Sequence, residues 1–157
     1  MGRPVRHSLS PVLHRAAYAA LGLAWSYDAH EVGEDTLAGF LDGLDGTWRG
    51  LSLTMPLKRT VVPLVTELGT QARRARAVNT LVLREGHRAG HNTDVPGAAA
   101  AIRERYDGPV DRAVILGGGA TAASTLLALA DLGCEEVVLQ VRDPSRAAET
   151  LAAAARH

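Results

Sequence analysis

The apolar run Ala113 to Leu116 leads directly into Gly117-Gly118-Gly119, and an alanine- and leucine-rich stretch follows as far as Gly133. A second apolar run, Glu136 to Val141, comes next. Strand, glycine turn, helix and second strand make a β-α-β unit, whose strands lie parallel because the helix carries the chain back along the sheet. Neither run alternates with period two, the pattern expected of a parallel sheet covered on both faces. The chain is therefore α/β.

Gly117, Gly119 and Ala122 fit G-x-G-x-x-A at the junction of the strand and the helix. In that position the first glycine permits a tight turn, the second admits a pyrophosphate to the backbone, and the small third residue allows close helix packing. Free amides at the helix start then hold the phosphates. The expected cofactor-binding set is Gly117, Gly118, Gly119, Ala120 and Ala122, with a ligand-free glycine turn as the plain alternative. After the second strand, an NAD site presents an acid to the ribose and an NADP site presents arginine to the 2′-phosphate. Arg142 and Arg146 stand four residues apart and can converge on that phosphate with forked bonds. Asp143 could hold a ribose hydroxyl, although its place before Pro144 is explained by helix capping alone. NADP is expected and NAD stays open.

The first hundred residues read as a second α/β unit. Ser10 as N-cap and Pro11 as first helical residue begin a helix over 11–21, with Val12, Leu13, Ala16, Ala17, Ala20 and Leu21 at helical spacing. A strand over Trp25 to Val32, a helix over Glu34 to Leu44 and a strand over Trp48 to Leu53 follow. Pro56 to Val65 and Thr66 to Ala75 are expected as short helices. Thr80 to Leu83 and Arg88 to His91 flank a hairpin turn at Glu85-Gly86, and Asp94 to Tyr106 reads as helix. Asp143-Pro144 should cap a last helix, Ser145 to Arg156. Asp107-Gly108-Pro109 suits an interdomain turn. The expected architecture is an N-terminal α/β substrate domain, 1–106, followed by the first part of a Rossmann-like doubly wound dinucleotide-binding domain, 107–157.

With 17 basic and 17 acidic residues and a pI near 7.0, no global field favours nucleic acid or an anionic membrane. The apolar runs fall far short of the roughly 20 residues of a membrane helix. A single cysteine, Cys134, cannot form an internal disulfide and is expected as packing, and Met1 to Val5 lacks the apolar core of a signal peptide. A cytoplasmic protein is the expectation. His7, His14, His30, His87 and His91 lack the clustered company of a zinc site, and no metal is expected. Alanine occurs 27 times and arginine 16 times, yet lysine occurs once, at Lys58. A GC-rich genome explains such a bias, and it singles out the lysine that remains.

Four short segments combine hydroxyls, an amide, an amine and a carboxylate. They are His7 to Pro11, Gly50 to Lys58, Ala77 to Thr80, and Gly90 to Asp94. Alternate serines ahead of a helix can donate to a carboxylate, and Asn79 with Asp94 can bracket vicinal hydroxyls. A small polyhydroxylated acid suits them together, whereas each segment alone could be a capped turn.

In order, S-L-S-P-x-x-H at Ser8 to His14, T-x-P-x-K at Thr54 to Lys58, A-V-N-T, N-T-D and the glycine loop resemble the shikimate dehydrogenase family. The resemblance runs from Gly2 to about Ala147. It implies reduction of 3-dehydroshikimate to shikimate with NADPH, on the chorismate route to aromatic amino acids. It implies further that Ser8 and Ser10 bind the substrate carboxylate, that Thr54 and Asn79 join Lys58 and Asp94 on the ring oxygens, and that Lys58 and Asp94 are the catalytic pair. The family usually has asparagine at the positions of Arg15, Ser52 and Val141. It also begins with a strand ahead of Gly2 and continues past His157, so the chain looks like a fragment.

Reduction of a ketone needs a proton or a strong hydrogen bond at the developing alkoxide. A neighbouring carboxylate favours the lysine ammonium and desolvation opposes it, so Lys58 is either proton donor or alkoxide stabiliser. Arginine, effectively never deprotonated, could not serve as base in the reverse oxidation. A quinate-oxidising sibling and a non-catalytic substrate-binding module are the alternatives. The expected partner is a small molecule, and a homodimer is left open.

Overall fold

The computed structural model describes residues 1–155, apart from the side chain of Arg146. The first helix, α1, is Ser10–Ala20. Ser10 lies inside it and makes no cap; its N–H donates instead to Ser8 Oγ at 3.3 Å. Pro11 fits because the first turn has no partner for an N–H anyway. None of the residues of α1 is buried, so its apolar stripe, Val12 and Leu13 included, faces outward among the described residues.

The strand expected over Trp25 to Val32 does not form. Extended backbone becomes a strand only beside another backbone, and among the described residues a single parallel bridge joins Gly2 to Glu31. Aromatic contacts order the segment instead. Tyr27 stacks on His14, Trp25 meets Tyr18 edge-on, and His30 packs against Phe40 and Trp48. The next helix, α2, spans only Leu37–Asp42, because Thr36 Oγ1 closes a turn with both the N–H and the carbonyl of Gly33.

Strand β1 (Gly50–Ser52), helix α3 (Leu57–Thr60) and a 3-10 turn (Val62–Leu64) follow. Pro63 lacks the N–H that would continue α3. The helix expected over Thr66 to Ala75 divides into strand β2 (Glu67–Leu68) and helix α4 (Thr70–Ala75). The free edge of the next hairpin captures its first residues: the N–H of Thr66 donates to Arg88 O at 2.9 Å, and β2 runs parallel to the hairpin's second strand. That hairpin is β3 (Thr80–Arg84) and β4 (His87–His91). Its two-residue turn has φ of 43° at Glu85 and 81° at Gly86, both positive as a type I′ turn requires. The sheet order is β1-β3-β4-β2.

Helix α5 (Asp94–Arg105), strand β5 (Arg112–Leu116), helix α6 (Ala120–Asp131) and strand β6 (Glu136–Gln140) complete the expected β-α-β unit, with β5 and β6 parallel. Covering is one-sided among the described residues. Ala113, Ile115, Val137 and Leu139 pack inward, while Val114, Leu116 and Val138 are 63%, 79% and 49% exposed. The expected last helix is a 3-10 turn (Pro144–Ala147) followed by α7 (Ala148–Ala154). Its expected end, Arg156, lies outside the described residues. Asp143 does cap it, accepting from Ser145 N–H at 3.0 Å and from the Ser145 hydroxyl at 2.7 Å. No helix among the described residues is long and apolar enough to cross a membrane.

Two apolar clusters hold these elements. Leu37, Leu41, Leu57, Val61, Val78 and Leu81 form the first. The second joins Ala75, Ala77 and Val95 to Ile115, Leu126, Leu127 and Ala128, so that α4 and α5 pack directly on α6. Small side chains let those helices approach closely. Arg74 and Asp131 add a fork-to-fork pair between α4 and α6, at 2.6 and 3.0 Å. The hydrogen bond to Asp131 raises the Arg74 pKa above its ordinary value. Asn92, two residues before α5, donates to Ser124 of α6 at 3.1 Å and sets the start of α5 against the first half of α6.

Candidate active site

Lys58 follows Leu57, whose fully buried side chain anchors α3 in the first cluster. Asp94 is the first residue of α5 and precedes Val95, which is equally buried in the second. Lys58 Nζ donates to Asp94 Oδ2 at 2.7 Å, with side chains 13% and 27% exposed. Asn79 Nδ2 donates to Asp94 Oδ1 at 2.8 Å and to Thr93 Oγ1 at 2.8 Å. Its Oδ1 accepts from Thr93 N–H and from the Thr80 hydroxyl, both at 3.0 Å. Both oxygens of Asp94 are therefore held, and its charge sits at a helix N-terminus, where the backbone dipoles favour it. An ammonium carries three donors. One goes to Asp94, and Thr121 Oγ1 lies 3.5 Å from Nζ, at the limit of a hydrogen bond.

Asn92 is a further residue of this site, one that motif reading alone does not single out. It is buried, and its Oδ1 accepts from the N–H groups of Asp94 at 2.9 Å and Val95 at 3.2 Å. Its Nδ2 donates to Ala77 O at 3.0 Å and to Ser124 Oγ, on α6, at 3.1 Å. One side chain thus caps the helix that presents Asp94 and ties it to the helix after the glycine loop. The signal was present in N-T-D, where an asparagine two residues before a helix start is a capping residue.

Ser8, Ser10, Thr54, Lys58, Asn79 and Asp94 line one cleft of about 270 Å³. Every candidate substrate and catalytic residue named from sequence is in it. His14, Tyr27 and Ser52 line it too. The rings of His14 and Tyr27 stack at 4.1 Å, and His14 Nδ1 lies 2.9 Å from Ser10 O. Arg15 fixes this wall, because its Nε donates to Tyr27 O at 2.8 Å and its Nη2 pairs with Asp28 at 2.5 Å. His14 was legible in S-L-S-P-x-x-H, whereas Tyr27 arrives through a segment with no motif.

The glycine loop lies outside that cleft and abuts it through Thr121. Gly117 has φ of +121°, open only to glycine at low cost. A Cβ at Gly118 would come within 3.0 Å of Ala147 and 3.1 Å of Val141 Cγ1, so the loop packs tightly on the turn before α7. A Cβ at Gly119 would meet open space. The first intrahelical bond of α6 runs from Ala123 N–H to Gly119 O, which leaves the preceding amides, those of Ala120 and Ala122 included, without an intrahelical acceptor. Ala122 itself is buried against the second cluster. A tight turn, free amides and an open flank fit a dinucleotide pyrophosphate. Arg142 is exposed just beyond β6, and the Arg146 side chain lies outside the described residues. No group of three His, Cys, Asp or Glu side chains among the described residues is placed to hold a metal ion.

The family model for the shikimate dehydrogenase substrate binding domain matches residues 1–81. The shikimate dehydrogenase (NADP(+)) of Moorella thermoacetica is 41% identical over 157 residues, covering 99% of this chain and 53% of that protein. That of Synechocystis is 40% identical over 152 residues, covering 95% of this chain and 52% of its own. The chain thus spans about half the length of these curated relatives. The crystal structure of the Thermus thermophilus shikimate 5-dehydrogenase in complex with NADP(H) and shikimate superposes with a TM-score of 0.87 at 36% identity, over 97% of this chain and 58% of that one. The Listeria monocytogenes enzyme in complex with shikimate and NAD gives 0.85 at 32% identity, over 99% and 55%. With the family model matching more than half of the 157 residues, the chain belongs to the shikimate dehydrogenase family.

Proposed function

We propose that the protein carrying this chain reduces 3-dehydroshikimate to shikimate with NADPH, with residues 1–106 as its substrate unit and 107–157 as the start of its dinucleotide unit. The observation that carries the reading is the Lys58–Asp94–Asn79 network, set in a cleft with Ser8, Ser10 and Thr54 and abutting the helix that follows the glycine loop. Names of relatives and the ligands in their solved structures support the same substrate and cofactor.

Ser8 and Ser10 donate to the substrate carboxylate at the start of α1, Thr54 and Asn79 meet ring hydroxyls, and Lys58 faces the carbonyl oxygen. Gly117, Gly118, Gly119, Ala120 and Ala122 would hold the pyrophosphate of a bound dinucleotide, and Arg142 with Arg146 would meet its 2′-phosphate. The chemistry supplied by the dinucleotide, once bound, is hydride donation to the carbonyl carbon. Lys58 places an N–H on the oxygen as negative charge develops there, which stabilises the alkoxide whether or not the proton transfers fully. Asp94 fixes the direction of Lys58 and accepts from the neighbouring hydroxyl of the ring. NADP is preferred to NAD because the Asp143 carboxylate is engaged with Ser145 as a helix cap. A lone cysteine suits a reducing cytoplasm.

Turnover of shikimate and quinate with NADP+ and NAD+, measured on the product of the complete reading frame, tests the reading. Shikimate with NADP+ is expected to give the highest kcat/KM. Higher kcat/KM for quinate, or for NAD+, overturns that half of the assignment, and turnover of neither acid overturns the enzyme reading.

A further inference from the structure

Lys58 has a neighbour on α3 that faces away from the cleft. Arg59 Nη2 donates to Thr150 Oγ1, on α7, at 3.0 Å across 91 residues of sequence. Its Nε lies 2.8 Å from Glu149 Oε2. Thr150 is fully buried, and its hydroxyl donates onward to Gly118 O at 2.8 Å, with Gly119 O at 3.3 Å. A hydroxyl has one proton. That proton goes to the glycine loop and a lone pair receives the guanidinium, so the three groups form a directed chain from Arg59 through Thr150 to Gly118.

The chain has a geometric consequence at the loop. A trans peptide points its carbonyl and the following N–H in opposite directions. Fixing Gly118 O on Thr150 therefore turns Gly119 N–H to the other side of the loop, away from α7. The Gly119 flank is the open one, whereas the Gly118 flank is filled by Ala147 and Val141. At its other end, the chain holds the residue that follows Lys58 on a helix of only four residues, Leu57–Thr60. A shift of the loop is thus felt one residue from the lysine.

We propose that Arg59 and Thr150 are positioning residues that couple dinucleotide binding at the glycine loop to the placement of Lys58 against the substrate. The inference rests on the dinucleotide reading given above. Coupling is reciprocal: if shikimate tightens NADPH, NADPH tightens shikimate by the same factor.

The test measures NADPH affinity, by the rise in its own fluorescence on binding, with and without saturating shikimate in the product of the complete reading frame. The ratio of the two dissociation constants is expected at about fivefold or more in the parent protein. Thr150→Val keeps the shape and removes the hydroxyl, and should bring that ratio to about one. Thr150→Ser should restore it, a rescue that a packing role alone does not give. Arg59→Met, at a partly exposed position, should lower the ratio as Thr150→Val does, and the two together should do no more than either alone. A ratio that the single variants leave unchanged, effects that multiply in the pair, or a serine variant that behaves like valine each overturn the coupling. A parent protein that binds shikimate and no dinucleotide overturns the underlying cofactor reading and the coupling with it. One that binds both with a ratio of one overturns the coupling alone.

Discussion

Lys58 Nζ lies 2.7 Å from Asp94 Oδ2, a contact that closes across thirty-six residues and joins the start of α3 to the start of α5. Two buried anchors hold the two ends, Leu57 in one apolar cluster and Val95 in the other. The pair is thus a product of both cores. Its geometry depends on how they meet.

Lys58→Ala should lower kcat for 3-dehydroshikimate by about a hundredfold to ten-thousandfold, the usual cost of losing a general acid. NADPH affinity should stay within about twofold, because the ammonium's close partner is Asp94 and not the glycine loop. Steady-state kinetics and a direct binding titration check the two halves separately. Half of the parental turnover in this variant would remove Lys58 from the mechanism.

Ser8→Ala combined with Ser10→Ala should raise KM for shikimate more than it lowers kcat. A carboxylate remote from the reacting carbon is held about equally in the ground and transition states. Ser8 Oγ also accepts from Ser10 N–H, so a small fall in thermal stability is expected alongside. A dominant fall in kcat would instead make these serines positioning groups for the carbonyl.

Asn92→Ala should destabilise the fold by about 2–3 kcal/mol, since it leaves the partly buried N–H of Asp94, the buried N–H of Val95 and the carbonyl of Ala77 without their partner. Asn92→Asp keeps the oxygen that caps α5 and loses the amide donors to Ala77 and Ser124, so it separates the two contributions. Urea midpoints for the parent and both variants measure them. An unchanged midpoint in Asn92→Ala contradicts the capping role.

Replacing Arg142 by alanine should weaken NADPH selectively, by about 1.5–3 kcal/mol for a lost charge-assisted bond, and leave NADH nearly unaffected. Asp143→Ala should instead cost about 1 kcal/mol of stability through the lost cap on Ser145. It should not change the preference between the two dinucleotides. If Asp143→Ala weakens NADH most, its carboxylate serves the ribose and the NADP preference fails.

Much of this was legible because local chemistry dictates it. Gly117 at φ +121° and the positive φ pair Glu85-Gly86 are backbone states that few residues tolerate, so the glycine loop and the hairpin could be located before any packing was known. Ser8, Ser10, Thr54, Lys58, Asn79 and Asp94 were legible as motifs, whereas Tyr27 was not. Long-range competition was not. Thr66 and Glu67 carry no mark that β4 will capture them, and Trp25 to Val32 has a strand's composition while among the described residues only Gly2 offers it a bridge. Ser10 fits the N-cap role by type, yet Leu9 occupies the N-cap position of α1 without a side-chain cap, and Ser8 Oγ accepts from Ser10 N–H instead, because only the path of the chain decides which hydroxyl meets a free N–H. Thr150 was invisible for a related reason: an isolated threonine in an alanine-rich helix gains meaning only when Gly118 and Arg59 converge on it.

Trp25 and Trp48, the two tryptophans of the chain, pack respectively on Tyr18 and on Phe40 with His30, all within its first fifty residues. Tryptophan emission therefore reports the aromatic wall near α1 and α2 and is blind to α6 and the parallel strands. Far-UV circular dichroism weights all helices alike. Denaturation curves from the two probes should coincide if α4, which places Ala72 in one cluster and Ala75 in the other, and the Lys58–Asp94 pair make both clusters one cooperative unit, and should separate if each cluster melts on its own.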